Sequence, residues 1–473
     1  MGRKKPLPLL ENTEILDAGS EGKAIARQGE MVVFVPFAVP GDIADIQVVK
    51  KKKRYFEGRV TRFHYLSWKR VEPVCIHFGT CGGCKWQNMD YEHQLHYKQK
   101  QVKDNFDRLG KFPYPGIMPI IPSSGVFSYR NKMEYTFSNR RWYTTPPDKD
   151  QPQRDGRALG FHAPGMFDRV IDIEKCHLQD DYANRIRNLV KKYALKQNLS
   201  FYDVKKWEGL LRNLVIRNTT TGQWMVTVVF HYEDEAVMPL LDFIRKEFPR
   251  LTSLNYCING KKNDDLSDQE IINHSGKAYI TEELTSFENK NETLKFKIGP
   301  KSFFQTNTRQ AERLYRVAAE FASPSSGSNV YDLYCGTGTI SLYVAGLSGK
   351  VTGIEYIEEA VEDAYENAEL NGIGNVEFIA GDLAKVLDDG FIEQKGKPDI
   401  IITDPPRSGM HPKVIEQILV ASPEKVVYVS CNPATQARDI ALMQEKYSVE
   451  AVQPVDMFPH TQHVENVALL KRK

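Results

Sequence analysis

From about residue 305 to the C-terminus, predicted β-strands alternate with predicted α-helices. This alternation is typical of a parallel sheet that is covered by helices on both faces. One of the strands runs into a glycine-rich turn, since residues 329–345 read NVYDLYCGTGTISLYVA. Gly336 and Gly338 allow the backbone to turn tightly beside a ligand, as in Rossmann-like domains. The third glycine of a dinucleotide fingerprint is absent, which favours a ligand without a pyrophosphate.

The strands that follow this turn end in acidic residues. The segment KVTGIEY places Glu355 about 20 residues after the glycine-rich turn, where such folds bind ribose hydroxyls. The segment NVEFIAGD ends at Asp382, and Asp404 ends the strand in PDIIITDPP. The carboxyl ends of parallel strands meet at one edge of the sheet, where ligands bind. We predict that this edge binds S-adenosylmethionine, with a nucleotide-binding fold of another kind as the alternative.

A further predicted strand, KVVYVS, is followed directly by Cys431. A free cysteine is usually a small buried apolar residue, and taken alone this position favours no reaction. At the ligand-binding edge, before a turn that contains Pro433, a thiol is exposed enough to react. The position therefore predicts that Cys431 is a nucleophile.

A thiol beside a methyl donor favours one kind of acceptor. Base amines already carry lone pairs, whereas carbon 5 of a pyrimidine becomes nucleophilic only after a thiolate has added to carbon 6. A base must then remove the carbon 5 proton so that the thiol can leave. Glu465, in the C-terminal segment HVENVALL, is the predicted base, and His460 and His463 are the alternatives.

The chain has seven cysteines, an odd number that argues against a disulfide framework. Three of them form a C-x5-C-x2-C pattern, and a fourth follows about 90 residues later: Cys75, Cys81, Cys84 and Cys176. Four thiolates bind either zinc or a 4Fe–4S cluster, and the spacing leaves both open. His77 and His177 are adjacent but are not needed as ligands. We interpret Cys257 and Cys335 as structural.

The N-terminal part of the chain has short alternating segments with Gly and Pro punctuation, which predicts a small all-β barrel over residues 7–66. Residues 50–70 contain nine Lys or Arg residues against one Glu, interleaved with aromatic residues. Cations neutralise phosphates and aromatic rings stack on unpaired bases, so this stretch favours contact with nucleic acid. The alternative is an ordinary solvated strand face.

The net charge of +2 does not by itself indicate a nucleic-acid partner. No apolar run approaches the roughly 18 residues of a membrane helix, and the start of the chain is too polar for a signal peptide. We expect a cytoplasmic protein with no membrane partner, and infer no obligatory protein partner. A polar helix is predicted over about 91–110, and we expect it to pack with the C-terminal domain.

The chain resembles the RNA uracil-5 methyltransferases over nearly its whole length. The resemblance is greatest to the bacterial 23S ribosomal RNA branch that carries an iron–sulfur cluster. The matching segments are FFQTN (303–307), DLYCGTGT (332–339), Glu355, GD (381–382), DPPRSG (404–409), SCNP (430–433) and HVEN (463–466), together with the cysteine pattern.

The resemblance implies roles for particular residues. Cys431 is the implied nucleophile and Glu465 the implied base. The implied methyl-donor site consists of Gln305, Tyr334, Thr339, Glu355, Asp382 and Asp404, of which Asp404 also lies toward the uracil. The implied ligands of a 4Fe–4S cluster are Cys75, Cys81, Cys84 and Cys176. We interpret that cluster as a structural clamp for RNA-binding loops near Trp86 and Arg130, because the methylation chemistry needs no electron transfer.

The resulting prediction is an α/β fold with three domains. These are a TRAM-like, OB-like β-barrel (1–68), a central α/β domain with the cluster site (69–300) and a Rossmann-like S-adenosylmethionine methyltransferase domain (301–473). The predicted reaction is methylation of carbon 5 of a specific uridine in 23S rRNA through a covalent adduct of Cys431. The alternatives are the thymine-loop uridine of tRNA, an inactive RNA-binding protein and, more weakly, a DNA cytosine methyltransferase.

Overall fold

The computed structural model describes residues 7–19, 21–145, 155–289 and 291–473. Its N-terminal part is a closed five-stranded barrel with the strand order β1-β2-β3-β5-β4. Every second side chain of β4 points inward, because successive side chains of a strand face opposite ways. The predicted barrel is therefore confirmed. Its strands are β1 (Leu9–Ala18), β2 (Ala24–Gln28), β3 (Met31–Val35), β4 (Ile43–Lys51) and β5 (Tyr55–Tyr65).

The chain then enters α1 (Tyr91–Asn105), which begins at the N-cap Asp90 and continues into a π-helical turn at Phe106–Gly110. Val102 and Phe106 lie in the hydrophobic core of the C-terminal sheet. This packing confirms the expectation that the helix over about 91–110 joins the C-terminal domain.

The middle of the chain forms a seven-stranded sheet with the order β12-β11-β10-β9-β6-β7-β8. Its pairs are antiparallel except for β10 and β11, which are joined by α3. The strands are β6 (Lys132–Ser138), β7 (Ala158–His162), β8 (Val170–Asp172), β9 (Leu211–Asn218), β10 (Trp224–Phe230), β11 (Ser253–Ile258) and β12 (Ile272–Gly276), and the helices are α2 (Asp181–Lys196) and α3 (Val237–Glu247).

A two-stranded hairpin, β13 (Ile280–Thr285) and β14 (Thr293–Ile298), follows the central sheet. Leu284 and Phe296 are buried in the same apolar cluster as residues of the C-terminal sheet. Both this hairpin and α1 fall within the range 69–300, and both pack against the C-terminal domain. The three-domain division along the chain stays a prediction.

The C-terminal sheet has the order β17-β16-β15-β18-β19-β21-β20. Neighbours from β17 to β19 are parallel, and β21 runs antiparallel to both β19 and β20. The chain order reverses beside β15, which creates a ligand-binding crevice at the carboxyl ends of β15 and β18. The strands are β15 (Asn329–Leu333), β16 (Lys350–Glu355), β17 (Val376–Ala380), β18 (Ile400–Thr403), β19 (Lys425–Ser430), β20 (Tyr447–Val455) and β21 (Glu465–Arg472).

Helices cover both faces of this sheet, as its apolar strands require. The four residues of β18, for example, are all buried. The helices are α4 (Thr308–Ala322), α5 (Thr339–Ala345), α6 (Glu358–Leu370), α7 (Leu383–Val386), α8 (Asp389–Lys395), α9 (Pro412–Ala421) and α10 (Pro433–Met443). The predicted Rossmann-like domain is confirmed.

Candidate functional site

The glycine-rich turn lies at the carboxyl end of β15, directly before α5. Gly338 has a φ of +77° and precedes the first residue of the helix. A Cβ atom at this position would lie 2.9 Å from the ring of Phe378 and 3.0 Å from the Cβ of Ala364. Both the conformation and the close approach therefore require glycine. The turn brings backbone amides to the edge of the crevice.

Two predicted acids bind backbone amides at neighbouring strand ends, Glu355 at the glycine-rich turn and Asp382 at the start of α7. Oε2 of Glu355 accepts a hydrogen bond from Gly336 N at 3.0 Å, and its Oε1 accepts one from Tyr356 N at 2.8 Å. Asp382 caps α7, because its Oδ1 accepts a hydrogen bond from Ala384 N at 3.1 Å. These carboxylates are fixed at the carboxyl ends of β16 and β17.

A cavity of about 600 Å³ opens beside these strand ends. Tyr334 and Asp382 line it, together with Pro406 and Tyr356, and Glu355 is the neighbour of Tyr356 in the chain. Tyr334 has a positive φ of +66°, which is uncommon for a residue with a side chain. The structure thus brings three of the six predicted donor-site residues to one cavity or its margin.

The remaining predicted donor-site residues lie further along the crevice. Thr339 is buried in the first turn of α5 and forms a hydrogen bond with Tyr315. Gln305 lies in the segment before α4, where its carbonyl oxygen accepts a hydrogen bond from Asn131 Nδ2 at 2.9 Å. Asp404 follows β18 directly.

The register of the sheet brings the predicted nucleophile and base together. Ser430 of β19 pairs with Asn466 of β21, so Cys431 and Glu465 are neighbours across the antiparallel pair. Cys431 is partly exposed, whereas Glu465 is buried. Burial and the nearby charge of Asp404 raise the pKa of Glu465 to about 8. A carboxyl group with such a pKa is suited to exchange a proton near neutral pH.

Two further acids lie near the carboxyl ends of β15 and β18, where Asp332 is buried and Asp404 is half-buried. Burial and the charge of Asp332 raise the pKa of Asp404 to about 7, and burial raises the pKa of Asp332 to about 7. Asp332 Oδ2 accepts a hydrogen bond from Ser341 Oγ at 2.6 Å, but its Oδ1 has no partner among the described residues. Asp332, in the motif DLYCGTG, is a site residue that the sequence analysis missed. Its signal was a charged residue in an otherwise apolar buried strand.

The thiol of Cys431 lies among negative charges. Burial, followed by the charges of Glu465 and Asp404, raises its pKa to about 11, while Arg407 acts in the opposite direction. Arg407, in the motif DPPRSG, was also missed by the sequence analysis. A cationic ligand at this edge would favour the thiolate and balance the buried acids.

The two alternative bases have different surroundings from Glu465. Burial lowers the pKa of both His460 and His463 to about 4, so both are neutral at physiological pH. The ring of His460 stacks on Phe127 with 4.4 Å between centroids, and its Nδ1 lies 3.3 Å from Gln94 Nε2. His460 thus has structural contacts, whereas His463 remains a rival to Glu465.

The four cysteines of the predicted metal site line one cavity of about 180 Å³, here called the cysteine cavity: Cys75, Cys81, Cys84 and Cys176. Its wall is mainly apolar and includes Met133 and Phe161, with Arg130 also lining it. Burial raises the pKa of Cys81 to about 11, and mutual charge repulsion contributes. Such thiols ionise only when a cationic group binds between them.

The surroundings of the four sulfurs bear on what the cysteine cavity could bind. Within the described ranges, no three His, Cys, Asp or Glu side chains are grouped to hold one metal ion. Amide groups point at two sulfurs: Gly83 N lies 3.5 Å from Cys81 Sγ, and Gln87 Nε2 lies 3.7 Å from Cys84 Sγ. Hydrogen bonds to thiolate sulfurs are typical of iron–sulfur sites. His77 accepts a hydrogen bond from Glu174 N at 3.0 Å, and Cys257 and Cys335 are buried elsewhere.

The basic and aromatic stretch of residues 50–70 is only partly available for contact with nucleic acid. Trp68 is 74% exposed and Tyr65 is 54% exposed, as a stacking surface requires. Arg70, by contrast, donates hydrogen bonds to both carboxylate oxygens of the buried Asp42. One of the nine basic residues therefore stabilises the barrel connection.

The barrel and the sheet with its glycine-rich turn and buried acids define a methyltransferase with an RNA-binding module. The family described as tRNA (Uracil-5-)-methyltransferase matches residues 218–473, and the TRAM domain matches residues 13–61. The chain belongs to the tRNA (uracil-5-)-methyltransferase family. It is an S-adenosylmethionine-dependent RNA (uracil-5-)-methyltransferase, which confirms the predicted class of enzyme.

Relatives extend the match over nearly the whole chain. A protein of Bacteroides thetaiotaomicron described as an uncharacterized RNA methyltransferase is 52% identical, covering 96% of this chain and 99% of its own. One of Porphyromonas gingivalis with the same description is 50% identical, covering 97% and 99%. The structure of Pyrococcus abyssi tRNA (uracil-54, C5)-methyltransferase with S-adenosyl-L-homocysteine has a TM-score of 0.74 and 28% identity, covering 97% and 99%.

Among the helices of the described ranges, none combines the length and apolar character that a membrane span requires.

Proposed function

We propose that this enzyme methylates carbon 5 of a uridine in 23S rRNA through a covalent adduct between Cys431 and the base. The observation that carries the proposal is the pairing of β19 with β21, which makes Cys431 and the buried Glu465 neighbours at the ligand-binding edge. A nucleophile and a base on one side of a crevice are what a two-step addition and elimination requires.

In this mechanism, Cys431 Sγ adds to carbon 6 of uracil and converts carbon 5 into a nucleophile. Carbon 5 then takes the methyl group that bound S-adenosylmethionine would supply in electrophilic form. The bond from this methyl group to the sulfonium sulfur breaks, and S-adenosylhomocysteine leaves. Glu465 then removes the proton from carbon 5, and the bond between Sγ and carbon 6 breaks as the double bond re-forms. Asp404 lies close enough to raise the pKa of Glu465, and we assign it to the uracil edge.

The donor site is proposed from the same crevice. Glu355 and Asp382 would bind the adenosine part beside Tyr334. Gln305, Thr339 and Asp404 would border the methionine part and the methyl group. These six residues are the ones that the sequence predicts. The buried carboxyl groups support this assignment, because S-adenosylmethionine carries positive charge. Asp332 Oδ1, which has no partner among the described residues, is proposed as a further acceptor for a cationic ligand.

We propose that the cysteine cavity binds a 4Fe–4S cluster through Cys75, Cys81, Cys84 and Cys176. The apolar wall, the amides directed at sulfur and the position of Arg130 support a buried, negatively charged cluster. The catalytic steps above involve no electron transfer, so the proposed role of the cluster is structural. A cytoplasmic location also stays a prediction.

A second candidate substrate has specific support. A solved structure that covers 97% of this chain, with a TM-score of 0.74, is that of a tRNA (uracil-54, C5)-methyltransferase. A uridine in the thymine loop of tRNA is therefore the alternative target. In either RNA the base must leave its stack to reach Cys431, which costs a few kcal/mol and less in a loop.

The test uses labelled methyl donor with unmodified 23S rRNA and, separately, unmodified tRNA transcripts. We expect 5-methyluridine in the 23S rRNA alone. Product in tRNA alone would establish the alternative, and no transfer to any uridine in either RNA would contradict the reaction. A Cys431→Ala variant is the matched control for both substrates.

A further inference from the structure

Residues 456–464, here called the base loop, join β20 to β21 and lead directly into Glu465. The loop lies at the meeting point of three segments that are distant in sequence. These are α1, the segment around Tyr129, and residues 75–86, here called the cysteine loop. The position of the proposed base therefore depends on contacts made outside the C-terminal sheet.

The first set of contacts comes from one face of α1. Tyr91, Gln94 and Lys98 are three, four and seven residues apart and so lie on the same side of the helix. Tyr91 OH and Lys98 Nζ donate to the two carboxylate oxygens of Asp456 at 2.8 and 2.6 Å. Both Lys98 and Asp456 are completely buried, so this ion pair fixes the start of the base loop.

The second set of contacts comes from the cysteine loop. The backbone amides of Lys85 and Trp86 both donate to the carbonyl oxygen of His460, at 2.9 and 3.0 Å. Lys85 follows Cys84, one of the four cysteines of the cavity. Two hydrogen bonds thus connect the residues directly after Cys84 to the base loop.

Gln94 on α1 forms hydrogen bonds with both the base loop and the end of the cysteine loop. Its Oε1 accepts a hydrogen bond from His460 N at 2.8 Å, and its Nε2 donates to Trp86 O at 3.1 Å and Met89 O at 2.8 Å. The side chain has no exposed surface. One amide group thus connects the base loop to the segment that follows the cysteine cavity.

The backbone of the base loop is strained at the residue that receives these bonds. His460 has a φ of +65°, a conformation that residues with side chains rarely adopt. Such strain persists only where the surroundings hold it in place. Tyr129 contributes to this, because its hydroxyl donates to the carbonyl oxygen of Pro459 at 3.0 Å. Loosening the contacts would let the loop relax and move the residues that follow.

We propose that Gln94, Tyr129 and the cysteine loop are positioning groups for the base Glu465, so that an occupied cysteine cavity sets the alignment of proton removal. This inference rests on the proposed function, in which Cys431 forms the adduct and Glu465 resolves it. Cys431 follows β19, and its backbone is held by the sheet and by α10. The positioning groups therefore act on the second step and not on adduct formation.

The test measures adduct formation and adduct decay separately in a single turnover. In Gln94→Leu and Tyr129→Phe we expect adduct to form at the wild-type rate and to decay about tenfold to a hundredfold more slowly, the effect of misplacing a catalytic group by about 1 Å. Tyr447→Phe is the matched control, since Tyr447 is also buried and donates to a proline carbonyl, that of Pro423 at 2.9 Å. We expect wild-type decay in that variant.

Hydrogen exchange provides a readout that does not depend on turnover. Amides of the base loop should exchange faster in Gln94→Leu and in iron-depleted wild-type enzyme, but not in Tyr447→Phe. Equal slowing of both steps in Tyr129→Phe, or unchanged exchange in the base loop of Gln94→Leu, would overturn the inference. Adduct formation by the wild-type enzyme separates it from the proposed function: if the wild type forms no adduct with the RNA, the function fails. If the wild type forms adduct and Glu465→Gln accumulates it while Tyr129→Phe does not, only the inference fails.

Discussion

The pH dependence of adduct decay is the most direct test of Glu465 as the base. Only the ionised carboxylate removes the carbon 5 proton, and its pKa in the buried site is about 8. About a tenth of the groups are ionised at pH 7 and about nine tenths at pH 9, so decay should accelerate about tenfold over this range. At this step the sulfonium has already lost its methyl group, so its positive charge no longer lowers the pKa of Glu465.

The assay is a rapid-quench single turnover in which denaturing gels follow the rise and decay of the adduct. RNA with deuterium at carbon 5 of the target uridine identifies the proton-removal step, because only decay should slow. Glu465→Gln should prolong the adduct by about a hundredfold to ten-thousandfold. In Asp404→Asn the midpoint should move to lower pH, since the charge of Asp404 raises the pKa of Glu465.

Two results would refute the reasoning. A decay rate that stays constant from pH 7 to pH 9 would show that a group with a pKa of about 8 does not limit the step. Normal decay in Glu465→Gln would transfer the role of base to His463 or another group. Asn466→Ser, a neutral change at the buried residue next to Glu465, is the control. It tests whether any change of side chain at this strand end slows adduct decay.

The remaining predictions concern the nucleophile, the donor, the cluster and stability. Cys431→Ala should bind S-adenosylmethionine with wild-type affinity in calorimetry but give neither adduct nor product. S-Adenosylmethionine should bind more tightly as the pH rises from 6 to 9, because Asp404 and Glu465 have raised pKa values and ionise over this range. S-Adenosylhomocysteine, which lacks the sulfonium charge, should not show this gain. Anaerobically purified enzyme should be brown with about four irons per chain, and Cys84→Ser should lose them; colourless protein with one zinc would contradict this. The raised pKa of Glu465 means that the wild type loses stability as the pH rises from about 5 to about 8, so Glu465→Gln should be stabilised relative to it by about 3.5 kcal/mol more at pH 8 than at pH 5 in urea unfolding.

The local motifs of the C-terminal domain could be predicted from the sequence, because each is a property of a short segment. A glycine at 338 is required by a positive φ and by the ring of Phe378, and the acids Glu355 and Asp382 come directly at strand ends. The helix over about 91–110 was also predictable from its polar pattern and its stop at Gly110. Its π-helical last turn was not, since nothing in the composition distinguishes that turn.

The charges of the site were less predictable, because they depend on distances between segments. Asp332 and Arg407 stand within motifs that the sequence made visible, but their influence on Asp404 and Cys431 follows from burial in one crevice. Arg70 was grouped with cations for RNA, yet its guanidinium binds Asp42 within the same fold. A basic residue becomes a binding or a structural group only through its partner.

The sequence by itself determined the class of fold, the cofactor and the order of the chemical groups along the chain, because strand periodicity, glycine conformation and residue chemistry are local. Tertiary structure decided which groups act together. The β19–β21 register made Cys431 and Glu465 neighbours, and burial set the pKa of Glu465. Gln94 and the cysteine loop form hydrogen bonds with the base loop, although more than 350 residues of chain separate them from it. Such bonds depend on position in space and not in sequence.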